Sequence, residues 1–257
     1  MEELQGGRAT TVMRLDDKVI RPAGDGSGAI HRLLNFLHLE GFQHAPMAFG
    51  YDAQGNELLS YVVGDVYDYP LTGAVASHEA LTSAATLLRK YHDMTALFLH
   101  ESREANQWAL PPREPQEVIC HNDYAPYNVS LTRQTVTGMF DFDLAAPGPR
   151  VWDVAYAVYT WAPFKTHPFD AMGTLTSQSD RARRFCDAYG LDNAARLALV
   201  ETMIARLQTL VDFMHLEAEK GNQAFIANIE DGHHLAYQKD IEYLKSNSEA
   251  ITRTLVK

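Results

Sequence analysis

Apolar residues recur along this chain with two different periods, and the change of period divides it. Near the N-terminus they come in short runs separated by turn residues. Val12 to Leu15 is followed by Asp16 and Asp17 and then by Lys18 to Pro22. Ala48 to Tyr51 and Glu57 to Val63 flank the turn from Asp52 to Asn56. Runs this short, punctuated by Gly, Asp and Asn, predict β-strands in hairpins, with Gly6 and Gly7 as the turn into the first of them. One helical pattern interrupts the strands: Ile30, Leu33, Leu34 and Leu37 share a face, with Ser27 placed to cap the helix and Gly41 to stop it.

Beyond Gly64 the period is mainly helical. Leu81, Ala84, Leu88 and Tyr91 mark a long helix capped by Ser77 and running toward Phe98, on which His92 and Asp93 are expected to face solvent. Two short apolar strands follow, Glu117 to Cys120 and Val136 to Phe140, entered through Pro111, Pro112 and Pro115. A helix is expected from near Arg150 to Pro163, carrying Tyr156, Tyr159 and Trp161 either as the floor of an acceptor pocket or, the favoured reading, as core residues. From Ser179 onward the pattern is helical throughout. Asp192 caps a segment whose Val200, Met203, Ile204, Leu207, Val211 and Met214 lie on one face up to Gly221.

The candidate chemistry concentrates around the two short strands. His121, Asp123 and Asn128 stand in the order H-x-D-x-x-x-x-N, the spacing of a kinase catalytic loop, in which an acid meets the acceptor hydroxyl and an amide oxygen meets a metal. The apolar run from Thr137 then delivers Asp141 and Asp143, two carboxylates where Mg²⁺ would bridge nucleotide phosphates. Gly6 and Gly7 would allow a backbone to approach a phosphate closely.

In these residues the sequence resembles the aminoglycoside phosphotransferase and choline kinase superfamily, whose signature is H-x-D-x-x-x-x-N followed by D-x-D. The likeness runs from about Leu4 to Tyr156. The second acid in Asp141-Phe142-Asp143 favours the small-molecule branch over protein kinases, as does the stretch from Gly148 to Tyr156, in which Asp153 would brace the catalytic loop. The resemblance implies an α+β, protein-kinase-like bilobal fold with a small N-terminal antiparallel β lobe and a large, mostly helical C-terminal lobe. Residues 1–64 would bind nucleotide, and residues 65–257 would supply catalysis and the acceptor site.

The resemblance further implies Asp123 as general base, with His121 propping its loop, and Asn128, Asp141 and Asp143 around Mg²⁺. Arg21 stands where the family carries the strand cation that pairs with phosphates, and Ser60, Tyr61, Val62 and Val63 would hold the purine by their backbone. ATP or GTP is the implied co-substrate. One departure is visible. The helix that should bring a glutamate to the strand cation has its only acid, Glu40, at its far end, so either Arg21 pairs elsewhere, for example with Asp25, or the small lobe binds nucleotide weakly.

Composition narrows the alternatives. A chain of 257 residues that is 46% hydrophobic can bury a substantial core. No apolar run approaches the roughly 18 residues of a membrane span, and the start Met1-Glu-Glu is not a signal peptide, so a cytoplasmic protein without a membrane partner is expected. The two cysteines, Cys120 and Cys186, support neither a disulfide nor a metal site, and His233 with His234 lacks a third ligand. A net charge of −11 argues against nucleic acid as a partner.

The resemblance also implies a small-molecule acceptor, cationic or polyhydroxylated, since the family lines its acceptor cleft with acids from the region that here holds Glu201, Asp212, Glu217, Glu219, Glu230 and Asp231. Two rival readings stand beside the kinase: a kinase-fold binding or immunity protein that sequesters a toxic molecule, and a metal hydrolase built on Asp141 and Asp143.

Overall fold

The structure, a computed structural model, describes residues 2–4, 12–101 and 107–257. Gly6 and Gly7 lie outside the described residues. In chain order the elements are β1 (Glu2–Leu4), β2 (Val12–Leu15), β3 (Lys18–Pro22), α1 (Ser27–Leu39), β4 (Ala48–Tyr51), β5 (Asn56–Ser60), α2 (His78–Glu101) and β6 (Val118–Cys120). A 3₁₀ turn (Pro126–Asn128) precedes β7 (Val129–Thr132), β8 (Thr135–Met139), β9 (Ala146–Gly148) and α3 (Arg150–Trp161). The chain ends in α4 (Leu175–Tyr189), α5 (Asn193–Glu219), α6 (Gln223–Glu230) and α7 (His233–Leu255). This is an α+β protein whose N-terminal part is built on an antiparallel sheet and whose C-terminal part is mostly helical.

Packing divides the chain into two compact units. The first comprises Met1–Val66, Leu87–Tyr124 and Asn128–Asp153. Its five-stranded sheet has the order β1-β2-β3-β5-β4. The hairpin β2-β3 turns at Asp16, whose φ of 55° suits the short polar side chain that tolerates this conformation. On β5 the inward Leu59 is buried, and α1 buries the expected stripe of Ile30, Leu33, Leu34 and Leu37. Two further strand pairs, β6-β9 and β7-β8, belong to the same unit.

The second unit comprises Tyr67–Thr86, Ala125–Tyr127 and Val154–Lys257. Its core is helical. Val200, Met203, Leu207, Val211 and Met214 of α5 are buried, as are Ile241, Leu244, Ile251 and Leu255 of α7. Tyr156, Tyr159 and Trp161 are core residues as well. A buried carboxylate, Asp240, accepts hydrogen bonds from the Tyr159 hydroxyl, the Thr166 N–H and the Thr166 hydroxyl, each at 2.7 Å. Those three donors replace the water that the charge would otherwise need.

Several local expectations shift. Gly26, not Ser27, is the N-cap of α1; the Ser27 hydroxyl accepts the Gly24 N–H at 2.9 Å instead. The strand expected to reach Val63 ends at Ser60. Helical structure resumes at Leu175, where Thr174 and Ser177 form a capping box, and α4 ends at Gly190 in the left-handed conformation. Asp192 caps α5 by accepting the Ala195 N–H at 2.8 Å. Among the described residues no helix is long and apolar enough to cross a membrane.

Candidate active site

The loop after β6 is held from beneath by one side chain. Asp153, in the first turn of α3, is fully buried. Its Oδ2 accepts the backbone N–H of His121 at 2.7 Å, and its Oδ1 accepts that of Asn122 at 2.8 Å. The Nε2–H of His92 donates to Oδ2 at 2.9 Å. Burial alone would raise the Asp153 pKa, but the His92 hydrogen bond and the fields of His92 and His121 outweigh it and hold the carboxyl below its ordinary value.

His92 is therefore a correction to the sequence reading. It is not solvent-facing: it is fully buried beneath the loop, while its neighbour Asp93 stays exposed and pairs with Arg89. The signal was present, because His92 follows Leu88 by one helical turn and so falls on the same buried face of α2.

Within the loop, His121 donates from Nε2 to the Phe140 carbonyl at 2.9 Å and receives the Asp123 N–H on Nδ1 at 3.3 Å. Burial pushes its pKa below the ordinary histidine value, consistent with the neutral tautomer these bonds require. Asn122 takes a φ of 64°, and its amide donates to the Leu144 carbonyl at 2.8 Å. This turn leaves Asp123 half-buried, next to Asn128 at the end of the 3₁₀ turn. The Asn128 amide N–H groups meet the Asp123 carbonyl at 3.0 Å and Oδ2 of its carboxylate at 2.8 Å. Strand β8 is tied to this loop where the Phe140 N–H donates to the Asn128 carbonyl at 3.0 Å.

Asp141 follows β8 with a φ of 64°, a left-handed conformation that a short polar residue bears at modest cost. Phe142 turns inward and is buried against His121, with ring centroids 4.8 Å apart, and against Tyr91 at 5.7 Å. Asp141 and Asp143, with side chains 46% and 56% exposed, turn outward. The alternation places one apolar anchor between two accessible acids.

Both acids face Arg21. Asp143 holds its guanidinium by two hydrogen bonds, Nη1 to Oδ2 at 3.2 Å and Nη2 to Oδ1, and Asp141 Oδ1 lies 3.6 Å from Nη1. The sequence reading offered Asp25 as a partner for Arg21, but the other partner is Glu57, whose Oε1 accepts from Arg21 Nε at 2.5 Å. Burial lowers the Arg21 pKa, yet Asp143, Glu57 and Asp141 together hold it above its ordinary value. Although the Asp141 side chain is 46% exposed, the protein crowded around its carboxyl raises the pKa first and repulsion from Asp143 second; despite the counter-pull of Arg21 it is pushed up to about 6.

The segment after β5 is also fixed. The Ser60 N–H donates to the Met47 carbonyl at 2.8 Å and its hydroxyl accepts the Met47 N–H at 2.8 Å. The Tyr61 N–H donates to the Asp17 carbonyl at 2.7 Å. Val63 is exposed, its carbonyl accepting the Ser130 hydroxyl at 3.1 Å. Gly64, with a φ of 140°, passes so close to β7 that a Cβ there would lie 2.8 Å from the Leu131 carbonyl oxygen.

Elsewhere, Glu201, Asp212, Glu219, Glu230 and Asp231 are exposed to solvent, and Glu217 pairs with Lys220 at 2.8 Å. Cys120 and Cys186 are both buried free thiols. The His234 ring packs edge-on against His215, and among the described residues no three His, Cys, Asp or Glu side chains form a metal-ligand group by themselves.

Comparison with known proteins bears on the family and the fold. The model of the phosphotransferase enzyme family matches residues 99–189. The trifolitoxin immunity protein of Rhizobium leguminosarum bv. trifolii is 31% identical over 213 residues, 78% of either chain. Among solved structures, a choline/ethanolamine kinase family protein from Mesorhizobium loti superposes with a TM-score of 0.62 at 15% identity, covering 99% of this chain and 92% of its own. The GDP complex of wild-type aminoglycoside 2'-phosphotransferase-IIIa gives 0.58 at 15% identity, covering 96% and 92%. These structures share the protein-kinase-like fold. The chain belongs to the aminoglycoside phosphotransferase and choline kinase superfamily, in one family with that immunity protein.

Proposed function

We propose that this protein transfers the γ-phosphate of ATP or GTP to a hydroxyl of a small molecule, with residues 1–64 as nucleotide lobe and residues 65–257 as catalytic and acceptor lobe. The observation that carries the reading is the braced loop, in which Asp153 anchors His121 and Asn122 so that Asp123 and Asn128 sit side by side. Asp123 accepts the proton of the acceptor hydroxyl and aims its oxygen, which in enzymes contributes roughly 10²–10⁴ in rate. His121 holds the loop. Arg21 meets the nucleotide phosphates, Gly6 and Gly7 cover them, and the backbone from Ser60 to Val63 holds the purine. The Ser60 and Tyr61 N–H groups and the Val63 carbonyl are engaged within the protein.

The donor set suits Mg²⁺. All its groups are hard oxygens, and three carboxylates, Glu57, Asp141 and Asp143, surround a single guanidinium, leaving a negative excess. Asp141, Asp143 and the Asn128 amide oxygen would hold the ion, which when bound neutralises charge on the phosphates. Two or three protein oxygens with substrate phosphate are the usual arrangement for Mg²⁺, so the absence of a larger ligand group among the described residues is no obstacle. The protein works in the cytoplasm in this reading. Its acceptor is cationic or polyhydroxylated, such as an aminoglycoside-like antibiotic or an amino alcohol, drawn by the exposed acids of α5.

Nucleotide turnover measured against a panel of aminoglycosides, choline, amino alcohols and sugars tests this. Stimulated turnover by one of them is expected, and none with any acceptor or nucleotide counts against transfer.

A second reading is favoured by the relative that bears the name of an immunity protein. In it the chain protects a cell from a toxin by sequestration. Protection that survives Asp123→Asn supports sequestration, and protection lost with that substitution supports transfer.

A further inference from the structure

The helix α1 contains no acid between Ser27 and Leu39, and Glu40 at its C-cap is exposed. The strand cation nevertheless has a fixed carboxylate partner. Arg21 on β3 and Glu57 on β5 are direct cross-strand partners in the antiparallel register, so their side chains rise from the same face of the sheet. The Glu57 side chain is 1% exposed, whereas Asp141 and Asp143 are about half exposed. A carboxylate buried that deeply is tolerated only when both its oxygens are engaged. Oε1 takes Arg21 Nε at 2.5 Å, and Oε2 takes the Nε2–H of His31 from α1 at 3.0 Å. The His31 ring is itself clamped, stacked on Tyr51 of β4 with centroids 4.7 Å apart and planes 18° from parallel.

We infer that Glu57, locked in place by His31, is the positioning residue that aims Arg21 at the nucleotide phosphates, so that a strand glutamate and a helix histidine together do what a helix glutamate would. The inference rests on the proposed role of Arg21. Its physical content lies in the geometry of the guanidinium. Glu57 occupies the Nε edge alone, which fixes the plane of the group and leaves the Nη1 and Nη2 fork turned outward. That fork holds Asp143 bidentately in this structure and is the part that can grip two phosphate oxygens. Without Glu57 the exposed acids Asp141 and Asp143, already on the Nη1 and Nη2 fork, would be left to orient Arg21, and the buried carboxylate on its Nε edge would be gone.

The test is calorimetric affinity for MgATP and MgGTP, taking whichever binds the unsubstituted chain more tightly, in Glu57→Gln, Arg21→Ala and the double variant, with thermal unfolding recorded for each. Glu57→Gln keeps the shape and one acceptor oxygen but removes the charge. It is expected to weaken nucleotide binding about tenfold or more, and to add nothing once Arg21 is gone. A merely structural role would move the melting temperature and weaken binding equally with and without Arg21. His31→Leu, which removes the hydrogen bond to Oε2 and the stack on Tyr51, should give a smaller loss of binding that again vanishes in Arg21→Ala.

The outcomes separate. No binding of either nucleotide to the unsubstituted chain overturns the phosphotransferase reading and this inference with it. Normal binding by Arg21→Ala overturns the role of Arg21. Weakened binding by Arg21→Ala together with normal or additive behaviour of Glu57→Gln overturns this inference alone. If Glu57→Gln does not fold, His31→Leu decides by the same comparison.

Discussion

Asp153 accepts the backbone N–H of His121 at 2.7 Å while accepting the His92 ring at 2.9 Å on the same oxygen, and neither His92 nor Asp153 is exposed. The active loop is thus built around a buried charge that three donors stabilise. Asp153→Asn keeps the shape, loses the charge, and turns an N–H₂ group toward donors. It is expected to lower stability by about 1.5–3 kcal/mol, the range for a hydrogen bond to a charged group. Urea denaturation measures this, and an unchanged midpoint would show that the loop is held by other contacts.

For Asp123→Asn the expectation is the opposite combination, intact stability with lost turnover. The amide retains an oxygen for the Asn128 N–H but cannot take up the acceptor proton. Phosphate transfer should fall by at least about 10²-fold. Steady-state turnover with the acceptor found by screening measures it, and near-normal transfer would remove Asp123 from the role of base.

The environment of Asp141 sets a pH dependence. Enclosure and the neighbouring Asp143 push its pKa up to about 6, so in the nucleotide-free protein it is ionised above that pH and protonated below it. A metal needs the ionised form and competes with the proton. The Mg²⁺-dependent part of nucleotide binding should therefore be full near pH 7.5 and decline as the pH falls through about 6, with ordinary carboxylates still ionised. Calorimetric titrations at pH 7.5 and 5, with and without Mg²⁺, measure this. A Mg²⁺ response equal at both would mean that Asp141 does not hold the ion, and Asp141→Ala should remove that response altogether.

The acids of α5 offer a test of the acceptor. Glu201, Asp212 and Glu219 are exposed, so their field acts through water and is screened by salt. The Debye length shrinks from about 10 Å at 0.1 M to about 3 Å at 1 M. The KM for a cationic acceptor should rise with ionic strength at saturating nucleotide. A KM flat with salt, or a preferred acceptor that is neutral or anionic, refutes the attraction and leaves the transferase reading standing.

What the residues alone determined were features encoded over short distances along the chain. The spacing of His121, Asp123 and Asn128 reflects one turn of irregular backbone, and the alternation Asp141-Phe142-Asp143 sends two acids one way and an aromatic ring the other. The apolar stripes of α1 and α5 likewise repeat every helical turn, and nearly all of their apolar positions are buried. Local geometry fixes such patterns before any long-range contact forms. Tertiary structure decided which charges meet. Arg21 reaches Glu57 across 36 residues and Asp143 across 122, and His92 reaches Asp153 across 61. Those pairings depend on strand register and on which side of a helix the core covers, and a one-residue slip would send Glu57 to the other face of its sheet. Burial then gives each pairing its weight: the same carboxylate that is an ordinary surface group in water becomes, once enclosed, a fixed point around which a cation or a loop must be arranged.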